Sequence, residues 1–339
     1  MEFKNILILH PGGLGDVVLS LPTLRVLRQR FPEATFTLAG NRSFLEILNF
    51  SQNIWSLDGK DIALLFTCDP HQRKDIQKFF SPFNLVISWM GGAGGVVEEN
   101  LKAVGVKKIL VATPIQKMRK RIKTREGESF NTTHASQAYL NTLIPLGIDE
   151  RVRGCSLYLK HEDLISGDFE LKNRKIPFRE KPFAVIHIGS GGVKKRWPLQ
   201  QFSKIVFWLQ KNLNLPSLFL TGPAEEDLVD HLYKDIQTSP ENHFHNLPLK
   251  VVGAIIKRSC FYLGCDSGVS HLAAALGVPT YVIFGPTHPK EWAPIGEKVI
   301  IIGPRKNGYP VSKSGIGGVN NFWPSSDNVQ TAIASGFWE

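Results

Sequence analysis

The sequence predicts an α/β protein built from two doubly wound parallel-sheet domains, and three observations predict it. The chain has 339 residues, more than one core's worth at roughly 100–200 residues per domain. Short apolar runs alternate with segments whose apolar residues recur at helical spacing, the pattern of strands joined by crossover helices. That pattern stops in a polar, charged stretch at 160–182, closed by Pro177 and Pro182, and then starts again. The stretch reads as a linker, which gives an N-terminal domain over 1–170 and a C-terminal domain over 171–339.

In the N-terminal half, Lys4–His10 is short and apolar and reads as the first strand. Gly15–Arg30 follows as a helix, with Val18, Leu21, Leu24 and Leu27 on one face. Thr35–Ala39 is the next strand and Arg42–Phe50 a short helix. Asn84–Trp89 is a buried strand that runs into a glycine-rich turn, Gly91 to Gly95, and then a helix to about Val104. Lys108–Ala112 is strand again, and Thr132–Leu146 is helical, with Tyr139, Leu140, Leu143 and Leu146 on one face.

The C-terminal half repeats this order. Phe183–Ile188 is a strand, Gly189–Gly192 a loop and Leu199–Asn212 a helix. Ser217–Thr221 and Cys260–Cys265 are strands, followed by helices over Ala224–Ile236 and Val269–Leu276. Pro279–Phe284 and Val299–Ile302 complete the strands, a Gly-, Pro-, Lys- and Asn-rich loop fills 303–326, and a last helix covers Asp327–Ser335.

Composition narrows the function classes. No segment approaches the ~18 unbroken apolar residues of a membrane span. The run Ile6–Leu9 is too short for a signal-peptide core, so a cytoplasmic site is expected. None of the four cysteines forms a Cys-x-x-Cys pair, and no His cluster has zinc spacing, so no metal and no disulfide is expected. A net charge of +10 favours anionic partners: nucleotide phosphates, a phosphorylated lipid, a membrane surface or nucleic acid.

In doubly wound sheets, ligands bind beyond the carboxyl ends of the strands. Five segments lie there or carry chemistry. His10-Pro11-Gly12-Gly13-Leu14-Gly15-Asp16 is neither a dinucleotide fingerprint nor a P-loop. It places Asp16 at the start of a helix, as a general base or as a first-turn acid complementing the helix dipole. Asp266-Ser267-Gly268-Val269-Ser270-His271 leaves a strand and opens a helix whose free N–H groups suit an anion. It is not a nucleophile elbow, because the second glycine of that motif is missing. Gly189 to Pro198 combines backbone donors at Gly189, Ser190, Gly191 and Gly192 with the cations Lys194, Lys195 and Arg196, a combination suited to a diphosphate. Glu225 and Glu226 follow a strand and can accept from ribose hydroxyls or remain solvated first-turn acids. The basic run Lys117, Arg119, Lys120, Arg121, Lys123 and Arg125 reads as a solvated loop. Its functional alternative is a landing patch for an anionic acceptor or membrane. It lacks the interleaved aromatics of a single-strand nucleic-acid site, so no nucleic-acid partner is expected.

Taken together these residues resemble glycosyltransferase family 9, the ADP-heptose:lipopolysaccharide heptosyltransferases, through almost the whole chain. The strongest segment is YLGCDSGVSHLAAALGVPTYVIFGP, Tyr262 to Pro286. GDVVLSLPTLRVLRQRFP from Gly15 is similar to the family's N-terminal signature, His134 with Tyr139 to its middle helix, and Lys195-Arg196-Trp197-Pro198 to its donor loop. His10 and Gly12 stand where the family often has a basic residue and a serine.

The resemblance implies a GT-B architecture, two Rossmann-like domains facing a central cleft, and inverting transfer without a catalytic metal or other cofactor. The donor it implies is a nucleotide sugar, ADP-heptose, and the acceptor an anionic glycolipid of the lipopolysaccharide core. It also implies a peripheral contact at the cytoplasmic face of the inner membrane. It assigns Asp16 as the base, and Ser190, Gly191, Lys195, Glu226, Asp266, Ser267, Gly268 and His271 as donor-binding residues. Gly13, Lys120 and Arg121 fall on the acceptor side. Two alternatives remain open at this point: another GT-B enzyme such as a nucleotide-sugar epimerase, and a nucleotide-sugar-binding protein without turnover. The missing dinucleotide fingerprint disfavours a dehydrogenase.

Overall fold

A computed structural model describes residues 3–51, 53–66, 73–92, 94–112, 119–124, 127–303 and 323–337. The chain divides into two compact units, Met1–Cys155 and Ser156–Glu339.

The first unit holds a five-stranded sheet: β1 (Asn5–His10), β2 (Thr35–Gly40), β3 (Asn53–Ser56), β4 (Leu85–Ser88) and β5 (Lys108–Val111). Its order is β3-β2-β1-β4-β5 and every pairing is parallel. β1 is apolar along its length because a parallel sheet is covered on both faces. Leu7 and Leu9 pack with Val86, Phe80 and Leu101 in one core cluster. The helix after β1, Leu14–Arg30, packs against the helix Ala135–Asn141.

Pro22 lies inside that first helix, where proline lacks the N–H that would bond the carbonyl four residues earlier. That carbonyl, on Val18, instead accepts from the buried Cys155 thiol at 3.3 Å. The basic run is not a loop throughout: β6 (Arg119–Thr124) pairs antiparallel with β7 (Gly127–Thr132). β7 takes the residue where the sequence predicts a helix to begin, and helix proper starts only at Ala135.

The second unit holds β8 (Ala184–His187), β9 (Ser217–Thr221), β10 (His243–His245), β11 (Phe261–Cys265), β12 (Thr280–Ile283) and β13 (Val299–Ile302). All pair in parallel in the order β10-β9-β8-β11-β12-β13. In sequence rank this is 3-2-1-4-5-6, the Rossmann order, with its reversal between β8 and β11. β10 escapes the sequence reading because His-Phe-His offers no apolar run.

The predicted linker is largely a helix, His161–Asn173. Its start is fixed by the Lys160 N–H, which donates to Asp163 at 3.1 Å. It packs on the helix Leu249–Arg258. Gly167 permits close approach, since a Cβ there would lie 2.5 Å from the Ala254 Cβ. Arg258 grips Asp168 through two bonds of 2.7 and 3.0 Å. The polar surface that reads as a linker is thus the outer face of a helix fixed into the second unit, and the division falls at Cys155/Ser156 rather than near 170.

Candidate functional site

The loops at the carboxyl ends of β8, β9, β11 and β12 converge in the second unit, and Asp266 organises them. Asp266 is 4% exposed. Its Oδ2 accepts from Lys195 Nζ at 3.0 Å and from Thr287 Oγ1 at 2.7 Å. Its carbonyl accepts from Ser190 Oγ at 2.9 Å. One carboxylate therefore holds the loop after β8 and the loop after β12 around the reversal point. Thr287 carries no signal by itself in the sequence; it is found only by its contact.

Lys195 ends a short 3-10 turn, Val193–Lys195, and is half-buried, so its ammonium stands at the surface of this cluster. Arg196 behaves differently from its expected role as a phosphate cation. Its guanidinium bonds Asp227 at 2.6 Å, the Ala224 carbonyl at 2.6 Å and the Ser190 carbonyl at 3.3 Å. It clamps the loop after β8 to the loop after β9, and its charge is already matched. Trp197 anchors the far end of the loop: it is buried, its N–H donates to Cys265 Sγ at 3.3 Å and its indole to the Pro324 carbonyl at 3.0 Å.

Ser267 is the N-cap residue of the helix Gly268–Ala275, and His271 is buried in that helix's first turn. Gly191 is exposed and a Cβ there would meet nothing within 4 Å. The two glutamates separate. Glu225 turns inward, is 3% exposed, and accepts from the Gly222 N–H at 2.9 Å. Burial by itself would raise its carboxyl pKa, but the His187 contact, the Gly222 N–H and the charge of Arg196 outweigh it, and the pKa lies below the usual value. Glu226 turns outward, accepts from Asn246 Nδ2 at 3.0 Å and pairs with His245 Nε2 at 3.1 Å. His245 is held in turn by Thr221 Oγ1 at 2.8 Å.

In the first unit, Asp16 lies in the opening turn of Leu14–Arg30. Its Oδ2 accepts from the Gly13 N–H at 3.2 Å and its Oδ1 from the Tyr139 hydroxyl at 3.5 Å. Residue 12 must be glycine, because a Cβ there would collide with the Asp16 Cβ. Tyr139 stacks on His10 with ring centroids 5.5 Å apart and meets Trp89 edge-on at 4.7 Å. Burial, then the charge of Asp16, holds the Tyr139 hydroxyl protonated far above its usual range. His10 is 1% exposed, and burial lowers its pKa to about 4.

The side chains of Lys120 and Arg121 lie outside the described residues, as does most of the 303–326 loop. Among the described residues no group of three or more His, Cys, Asp or Glu could hold a metal ion, and no helix is long and apolar enough to cross a membrane.

Two Rossmann-type sheets, one with a cation and hydroxyls gathered at its reversal point, define a chain of the GT-B fold. Residues 158–314, a stretch just short of half the chain, match the model of glycosyltransferase family 9 (heptosyltransferase). Lipopolysaccharide heptosyltransferase 3 of Escherichia coli strain K12 is 27% identical over 176 residues, 50% of this chain and 48% of that protein. The alignment thus spans about half the length of that relative. A second E. coli protein of the same name is 22% identical over 307 residues, 84% of this chain and 85% of its own length. Among solved structures, a family 9 glycosyl transferase from Veillonella parvula superposes with a TM-score of 0.74 at 18% identity, covering 99% of this chain and 98% of its own. The E. coli ADP-heptose lipopolysaccharide heptosyltransferase II gives 0.70 at 14% identity, covering 99% of each chain. At such identities the structures establish the fold.

Proposed function

We propose that this chain is an inverting heptosyltransferase that moves heptose from ADP-heptose to a hydroxyl of a lipopolysaccharide-core acceptor, without a metal ion. The observation that carries the reading is the Lys195–Asp266–Thr287 cluster at the reversal point of the second sheet, an oriented cation beside a glycine-containing loop and a helix start. A nucleoside diphosphate needs these groups, and Glu226 at the end of β9 suits its ribose. The names of the relatives supply heptose and lipopolysaccharide as the candidate sugar and acceptor.

In this mechanism the acceptor hydroxyl attacks the anomeric carbon on the face opposite the nucleotide. Asp16 takes the hydroxyl proton as the new C–O bond forms, a contribution of typically ~10²–10⁴-fold. The bond to the diphosphate breaks, and ADP leaves with the electron pair. Lys195, the Ser267 hydroxyl and the N–H groups opening Gly268–Ala275 stabilise the charge that grows there, while Ser190, whose hydroxyl donates to the Asp266 carbonyl, holds that turn in place. Asp266 acts by holding Lys195. The net charge of +10 suits an anionic glycolipid and a peripheral contact at a membrane's cytoplasmic face, with Gly13, Lys120 and Arg121 on the acceptor side.

The test is release of ADP from ADP-heptose by the purified protein, with and without a heptose-free lipopolysaccharide-core acceptor. Release that requires the acceptor, with sugar found on it, supports the reading. Conversion of the nucleotide sugar without an acceptor assigns an epimerase or hydrolase instead, and tight donor binding without turnover assigns a binding protein.

A further inference from the structure

Below the donor loop runs a buried polar chain of which the mechanism above uses only Ser267. His187, the last residue of β8, is 4% exposed. Its Nε2 stands 3.6 Å from Glu225 Oε2 and its Nδ1 3.4 Å from Ser267 Oγ. Ser267 Oγ lies 3.3 Å from Ser270 Oγ, which donates to the Cys265 carbonyl at 2.6 Å and meets the Tyr262 hydroxyl at 3.1 Å. Although Ser267 is an N-cap residue, its hydroxyl makes no cap bond.

Hydrogen-bond valence leaves two protonation states of the ring. Glu225, held ionised, can only accept, so the imidazole nitrogen facing it, Nε2, carries a proton. With that single proton, Nδ1 is a bare acceptor, and the Ser267 O–H has two inward acceptors, Nδ1 and Ser270 Oγ. With a second proton on Nδ1, the ring donates to Ser267 Oγ, and the hydroxyl proton is released to point elsewhere. Both contacts are longer than the about 2.7–3.2 Å of a well-formed bond to nitrogen, so neither locks one arrangement.

The charges around His187 favour the second state when an anion arrives. Lys195 and Arg196, from the loop after β8, are matched by Asp266 and Asp227. Tyr262, Cys265 and Asp266 belong to β11 and its end, and Ser270 and His271 to the following helix. Glu225 is the ionised group in contact with the ring. A diphosphate beside Ser267 adds negative charge to the same buried region, where an imidazolium is the matching cation.

We propose that His187, backed by Glu225, is a proton-gated positioning residue: a nucleotide diphosphate draws a second proton onto His187, and Ser267 then donates its hydroxyl to a phosphate oxygen. This rests on the donor-site reading above. Its consequence for the transfer is a compensating charge and an oriented donor beside the leaving group, from a histidine that never touches the ligand.

The experiment is calorimetric titration of the whole protein with ADP-heptose between pH 7 and 8, in buffers of different ionisation enthalpy. The diphosphate of ADP-heptose is a diester with no group titrating near neutrality, so any proton taken up goes to the protein. Expected is uptake of a substantial fraction of one proton per ADP-heptose, with affinity weakening as pH rises. His187→Asn, whose amide can still donate to Ser267, is expected to bind within several-fold of the parent protein but with no uptake and a flat pH profile. His187→Phe is expected to lose both uptake and at least tenfold in affinity. Binding without proton uptake by the unaltered protein overturns the proposal, a measurement that does not depend on any variant folding. Uptake that persists in His187→Asn overturns it too. Absence of ADP-heptose binding removes the donor reading, and this inference with it.

Discussion

Glu225 occupies the space that a side chain at Gly189 would need. A Cβ on Gly189 would collide with the Glu225 Cγ, Cδ and Oε1 atoms, so this glycine of the loop after β8 is required by a buried carboxylate. Gly191, two residues on, faces open space. The two glycines look alike in sequence and differ in what surrounds them.

That difference gives the first prediction. Gly189→Ala displaces Glu225 from His187 and the Gly222 N–H, and overpacking of this kind costs typically about 1–3 kcal/mol. Gly191→Ala is expected to stay within about 0.5 kcal/mol of the parent. Urea unfolding of the two variants side by side checks it, and equal stabilities refute the role given to Glu225.

Asp16→Ala is expected to lower turnover by about 10²–10⁴-fold while leaving ADP-heptose affinity nearly unchanged. Tyr139→Phe removes one of the donors that hold the carboxylate, and its expected effect is a smaller loss, in kcat rather than in donor KM. Weak donor binding with intact turnover in Asp16→Ala removes Asp16 as the base.

Lys195→Ala is expected to weaken ADP binding by about 10–100-fold, the range of a charge-assisted hydrogen bond worth roughly 1.5–3 kcal/mol. Thr287→Val removes a bond to Asp266 but no charge, and its expected effect is several-fold at most. Fluorescence or calorimetric titration with ADP separates the two. Equal losses mean that the loop geometry held by Asp266, rather than the charge of Lys195, sets the affinity.

Stability depends on pH through His10. Its pKa is about 4 in the folded chain against the ordinary 6.5, so between these values the unfolded chain holds a proton that the native state does not. Stability therefore rises with pH across this window; it is complete above about 6.5 and declines as pH falls toward 4. The loss is on the order of 3 kcal/mol at about 1.4 kcal/mol per pH unit. His243 is lowered to about 4, chiefly by burial and then by the charges of His245 and Arg174, and titrates in the same window. His10→Gln is accordingly expected to flatten the pH 4–6.5 dependence in part, measured by urea midpoints at several pH values. An unchanged slope contradicts the burial argument.

Cys155 and Val18 make a bond that exists because of Pro22. Cys155→Ser keeps a donor there, whereas Cys155→Ala removes the donor and leaves space, an expected loss of about 1–3 kcal/mol. Thermal unfolding of both variants is the check, and an alanine variant as stable as the serine one shows that the thiol only fills volume.

Most of the strand–helix alternation was legible in the sequence, because strands covered on both faces must be apolar throughout and crossover helices must carry an apolar stripe. Ile6–Leu9, Val86–Ile87 and Leu218–Leu220 could hardly read otherwise. Elements whose stability comes from partners were not legible. β10 is three residues at a sheet edge, and the helix His161–Asn173 shows solvent a polar face that looks like a linker.

The sequence by itself determined the fold class and the strand-end loops that carry the candidate residues, because these depend on residue type and spacing along the chain. Only the tertiary structure decided what each of these residues touches. It matched Arg196 with Asp227, turned Glu225 inward and Glu226 outward, and brought Thr287 to Asp266 and His187 to Ser267. The physical reason is that a charge acts through what lies within a few ångströms of it, and those neighbours come from strands far apart in the chain.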